Sequence, residues 1–134
     1  MRDYDRQARS PLLMPRMAPP AEPAEPILVL TTYPDEAAAS RIARDLVESG
    51  QSRSDPRRAA CVSRVGPVHS TYRWQGAVPD EPEVLLVIKT LSNRYSELEM
   101  RLKSLHPYEV PEIIALPVAA GSVDYLSWLQ RVTA

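Results

Sequence analysis

Glu83-Val84-Leu85-Leu86-Val87-Ile88-Lys89-Thr90 is the stretch on which the fold turns. Its unbroken apolar run, rich in β-branched side chains, predicts a strand packed on both faces, because a strand with one wet face alternates apolar with polar residues. Upstream, Ala59 to Val65 and Val68 to Trp74 form a long strand. It is bent near Gly66-Pro67, where proline removes a ladder donor and glycine admits a bulge. The turn around Gln75-Gly76-Ala77-Val78-Pro79 joins the two strands, which therefore pair antiparallel as a hairpin.

Further out, Ile27-Leu28-Val29-Leu30-Thr31-Thr32 lies between Pro26 and Pro34 and reads as another strand. From Asp35 to Ser49, Ala38, Ile42 and Leu46 recur at helical spacing beside Ala39, Ala43 and Val47; Asp35 and Glu36 favour the amino end and Gly50 supplies a stop. A second helix follows the hairpin: Ser92 is its expected N-cap, Tyr95, Leu98, Leu102 and Leu105 share one face, and His106-Pro107 ends it. Ile113 to Leu116 reads as a fourth strand and Ser122 to Val132 as a short terminal helix. The fold class is α+β, a ferredoxin-like β-α-β-β-α-β order with an antiparallel sheet plus a C-terminal helix. In this arrangement both main helices cover one face of the sheet. The strands are apolar on the other face too, and the last helix is too short to shield it, so the sequence predicts self-association.

Residues 1–26 hold six of the fourteen prolines and no apolar periodicity, which predicts a disordered tail ahead of a single domain at 27–134. The polar, proline-broken stretch 51–58 is expected to be a surface loop. Sixteen Lys and Arg against seventeen Asp and Glu leave a net charge of -1, with no positive field for nucleic acid or an anionic membrane. No apolar run approaches the roughly 20 residues that span a bilayer. The single cysteine, Cys61, cannot form an internal disulfide; a reducing, cytoplasmic setting is the expectation.

Several blocks together resemble the CutA family of divalent-cation tolerance proteins over residues 27–132. They are Val29-Leu30-Thr31-Thr32 with Pro34-Asp35-Glu36, Ala59-Ala60-Cys61-Val62, and Ser70-Thr71-Tyr72-Arg73-Trp74-Gln75-Gly76. The later blocks are Val84 to Thr90, His106-Pro107-Tyr108-Glu109-Val110-Pro111-Glu112, and Asp124-Tyr125-Leu126-Ser127-Trp128. The resemblance implies a homotrimer whose sheets pack together, a response to metal ions, copper binding in some members, and ligand clefts between subunits. Two departures stand out. Residues 51–58 look like an insertion of about eight residues, which a surface loop tolerates. Members with a copper site carry a Cys near the end of the first strand and a His-His pair before Pro-Tyr; here those positions read Thr31, Leu105 and His106, leaving one of three ligands.

Candidate metal ligands are His106 and Cys61, because imidazole and thiolate suit copper and zinc, with Glu109 and Glu112 as added oxygen donors. The blander readings are a helix-ending histidine and a small core thiol. There is no CxxC or HxxxH, so a closed site within one chain is not predicted, and any site is expected between subunits. Tyr72, Trp74, Lys89 and Tyr108 are candidate cleft residues, aromatics with polar tips beside a strand-end cation. A Cys61-His106 dyad can be drawn, but nothing activates the thiol or supplies an oxyanion hole, so no enzyme is predicted. The leading functional expectation is a metal-responsive trimer needing no obligatory cofactor and binding copper or another divalent cation weakly. The alternatives are a trimeric module taking a small anionic metabolite near Lys89 and Tyr108, and a structural scaffold.

Overall fold

The structure is a computed structural model that describes residues 24–134; the expected tail, apart from its last three residues, lies outside them. The chain runs β1 (Pro26–Tyr33), α1 (Glu36–Glu48), β2 (Cys61–Thr71), β3 (Asp80–Leu91), α2 (Tyr95–Leu105), β4 (Ile113–Pro117) and α3 (Val123–Thr133). The four strands form one antiparallel sheet in the order β2-β3-β1-β4. This is the expected α+β order with the expected extra helix.

Asp35 starts α1 by accepting the Ala38 N–H on Oδ1 at 2.8 Å, which satisfies one of the donors a helix start leaves open. The helix buries Ala39, Ile42, Ala43 and Leu46, and α2 buries Leu98 and Leu102. Apart from Ala43, these side chains share one core with Val29, Tyr33, Leu86 and Ile88, so both helices cover the same face of the sheet.

Burial alternates along the strands. On β1, Ile27, Val29, Thr31 and Tyr33 are buried under the helices, whereas Leu28 and Leu30 are only half-buried. On β3, Val84, Leu86, Ile88 and Thr90 face the helices, and Leu85, Val87 and Lys89 alternate with them on the far side. Register aligns Leu30 with Val87 and Ile114, and Leu28 with Lys89 and Leu116. The far face is therefore an apolar layer with Val65 46%, Ile114 47% and Leu116 43% exposed. Helix α3 packs on β3 and β1 and covers only the end where Leu91 lies.

Local differences from the sequence reading have physical causes. β2 stops at Thr71, because Trp74 and Ala77 close a two-residue turn by exchanging backbone hydrogen bonds at 3.0 and 2.9 Å. Gln75 and Gly76 sit there at φ 48° and 80°, the left-handed pair that matches a hairpin's twist. β3 starts at Asp80, three residues earlier than Glu83, since Asp80, Glu81 and Pro82 pair with Thr71, Ser70 and His69. The register slips between Val65 and Val68, at the predicted bend. Ser92 does not cap α2. It opens a short 3-10 turn, and its Oγ accepts the Glu25 N–H at 2.9 Å, holding the chain just before β1.

Loop 51–58 does more than lie on the surface. One Arg57 amino group donates to the carbonyls of Arg131 and Val132 at 3.4 and 3.1 Å, and Arg94 donates to that of Thr133 at 3.1 Å. These arginines meet carbonyls that the end of α3 leaves without helical partners.

Candidate functional site

Between the end of α2 and the start of β4, the chain crosses the end of β1. His106 leaves the helix in an extended conformation (φ -82°, ψ 133°), as the residue before a proline must. Its ring stacks on Tyr33 with centroids 4.2 Å apart, on the helix side of the sheet. Its Nε2 lies 2.8 Å from the Thr32 carbonyl and its Nδ1 accepts the Tyr108 N–H at 3.2 Å. Since a carbonyl can only accept and an N–H can only donate, the proton sits on Nε2 and the Nδ1 lone pair is used. Burial holds the imidazole below its usual pKa, so it is neutral near pH 7.

Two residues on, Tyr108 lies on the open-face side, its ring 4.8 Å from that of His106. Its hydroxyl donates to Glu83 Oε2 at 2.7 Å, and burial, reinforced by that carboxylate, pushes the phenol well above its ordinary range. Glu83 is only 8% exposed although it carries a carboxylate. Next to it the Tyr72 hydroxyl donates to Glu81 Oε1 at 2.9 Å, which also raises that phenol. Together with Thr32, Val110 and Glu112 these side chains line a cavity of about 60 Å³. The cleft thus carries three carboxylates and two protonated tyrosines, and it borders the open apolar face.

The predicted site residues divide. Tyr72, Tyr108 and Glu112 come together in the cleft, and His106 supports it through Tyr108. Glu109 is exposed and belongs to a separate groove beside Glu99 and Lys103. Trp74 sits at the hairpin tip. Lys89 is six residues along β3 from Glu83, about 20 Å at the rise of a strand. There it donates to Ser63 Oγ and reaches Cys61 Sγ at 3.9 Å. Cys61 pairs with Lys89, and Lys89 with Leu28, so the thiol lies on the open face, roughly 13 Å along the sheet from the level of Thr32. Within one chain neither the Cys61-His106 dyad nor the His106, Cys61, Glu109 and Glu112 set converges. Among the described residues no group of three His, Cys, Asp or Glu is placed to close around a metal ion. Nothing in the local sequence marks Glu81 and Glu83 as site residues. Alternation along β3 puts both odd-numbered carboxylates on the face that Tyr72 and Tyr108 reach, but that signal appears only once the register is known.

Among the described residues no helix is long and apolar enough to cross a membrane. The family model described as CutA1 divalent ion tolerance protein matches residues 27–132. A divalent-cation tolerance protein CutA of Thermus thermophilus is 47% identical over 106 residues, which is 79% of this chain and 96% of that one. The human protein CutA is 43% identical over 102 residues, 76% of this chain but 53% of the longer human protein. Among solved structures, a Thermus thermophilus divalent cation tolerance protein superposes with a TM-score of 0.74 at 46% identity, covering 81% of this chain and 99% of its own. A relative from Archaeoglobus fulgidus, described as a periplasmic divalent cation tolerance protein, gives the same TM-score at 28% identity and covers 81% of this chain and 99% of its own. By this match over residues 27–132, the protein belongs to the CutA1 family of divalent ion tolerance proteins.

Proposed function

We propose that this protein serves divalent-cation tolerance as a non-catalytic, cytoplasmic homotrimer that meets copper or another divalent ion weakly at the carboxylate-lined cleft. The observation that carries this reading is the position of the cleft, with Glu81, Glu83 and Glu112 at the border of an apolar sheet face that one chain leaves uncovered. Exposed apolar layers of this kind are rare on stable monomers, so association through that face brings the carboxylates of several subunits to its margin. Oxygen donors favour hard cations by type, and copper retains affinity for them through its position in the divalent series. His106 contributes by holding Tyr108 in place, because both its ring nitrogens are already hydrogen-bonded.

Calorimetric titration of the assembled protein with Cu²⁺ and Zn²⁺ tests this. Saturable binding at or below about 100 µM, equivalent to roughly 5.5 kcal/mol, is expected, with Glu83→Gln and Glu112→Gln each weakening it several-fold and Cys61→Ser leaving it unchanged. Absence of saturable binding, or binding lost with Cys61→Ser alone, would sink the assignment to this cleft. The alternative, a small anion bound at an intersubunit cleft near Lys89 and Tyr108, is less favoured because the Tyr108 cleft is lined by Glu81, Glu83 and Glu112.

A further inference from the structure

On the helix side, away from both the cleft and the open face, an open groove of about 440 Å³ runs between the start of α1 and the end of α2. That volume falls within the about 300–1,000 Å³ typical of small-molecule sites. Its walls are apolar, formed by Ala38, Ile42, Leu105 and Pro107, and Leu105 is left 39% exposed there. Tyr33 lines it from below. This residue is fully buried, and its hydroxyl oxygen has no hydrogen-bond partner among the described residues. Burial, and then the charge of Asp45, push the phenol up to about 12, so the hydroxyl keeps its proton and is a donor without an acceptor. A buried donor left unmatched is destabilising, and a ligand oxygen restores what is lost.

The charges around the groove decide what kind of oxygen that is. Asp45 is held by the Arg101 guanidinium through two hydrogen bonds, at 3.0 and 2.6 Å, and Asp35 is engaged as the cap of α1. Arg41 lines the same groove and has neither an ion pair nor a hydrogen bond among the described residues. Arg41 is thus the lining cation that no carboxylate engages, although the Asp35 carboxylate keeps its charge while it caps the helix. From a short apolar trough, a buried donor and an unpaired guanidinium, we infer that this groove binds a small aliphatic carboxylate. The acid group bridges Arg41 and the Tyr33 hydroxyl, and the alkyl body lies on Ile42 and Leu105. Because the groove opens on the helix side, assembly through the opposite sheet face leaves it accessible.

The test is an amide NMR titration of the full chain with 3-methylbutanoate, with 3-methylbutylamine as a size-matched cation. Saturable, millimolar-range shifts centred on Tyr33, Ala38 and Leu105 are expected for the acid, with the amine binding about tenfold more weakly or not at all. Arg41→Gln should weaken the acid about fivefold. Tyr33→Phe should weaken it by a similar factor without lowering the Tm, because it deletes a hydroxyl that has no partner among the described residues. The inference is overturned if the acid gives no saturable shifts, if the amine binds as well as the acid, or if Arg41→Gln leaves the affinity unchanged. A lower Tm for Tyr33→Phe, which would reveal a partner for the hydroxyl, overturns it too.

Discussion

The two faces of the sheet are built from the same strands and nearly the same residue types, yet they end in opposite states. Beneath α1 and α2, Val29, Leu86 and Ile88 are fully shielded from water. One position along, Leu30, Leu85 and Val87 are only half-buried, and Ile114 and Leu116 are exposed beyond 40%. Two helices are enough to dry one face, and α3, packed at the Leu91 end, is not enough to dry the other. The contrast separates the face that one chain covers by itself from the face it leaves uncovered, and the polar cleft marks the boundary between them.

The largest effect that sharpens this comparison should come from Leu116→Glu. On an isolated subunit a charge at this exposed position changes stability little, but within a dry interface it is a buried, unpaired carboxylate. Light scattering should then report a single 15.0 kDa subunit where the parent assembles. Persistence of the parent assembly would break the comparison. Leu86→Ala on the helix side should destabilise each subunit by about 3 kcal/mol in urea unfolding, the cost of a cavity in a filled core. A loss well below that would mean the covered face is as adaptable as the open one.

At the boundary, Tyr108→Phe leaves the buried Glu83 carboxylate without its donor and should cost about 2 kcal/mol, without changing the subunit count. The smallest effect is a pH slope. Burial lowers the His106 pKa in the folded chain below its unfolded value near 6.5, so the unfolded chain takes up the proton first. The stabilisation from neutral His106 is fully present above about pH 6.5 and is lost as the pH falls through the lower folded value. Urea midpoints should decline over that interval, and His106→Gln should flatten the decline.

The elements were legible in the sequence because an unbroken β-branched run marks the Val84–Ile88 strand and a spacing of three to four marks Ala39, Ile42 and Leu46. The open apolar face was legible too, as hydrophobic side chains at both parities of β1 and β3. The early start of β3 was hidden, because Asp80, Glu81 and Pro82 are poor strand formers that are held by pairing with β2. Ser92 looked like a cap because its residue type fits, but its hydroxyl is used by Glu25, 67 residues away in the chain. The candidate site was half legible. Tyr72, Tyr108 and Glu112 were identified as separate residues, but the Tyr108–Glu83 contact joins positions 25 apart, and no local spacing encodes it. Lys89 shares a strand with the site, but within one chain it lies six residues along that strand from Glu83.

The arginine clasp at the end of α3 has a consequence for how the chain breathes. Loop 51–58 and the turn at Ser92–Arg94 both hold the last carbonyls of this helix, while Gln130 is tied to Ala24 at the opposite end of the described chain. Fraying of the terminus is therefore not a private event of its final residues. Releasing it means letting go of two distant segments at once, so the added loop and the last helix open and close as one cooperative unit, with shared protection of their amides against solvent exchange.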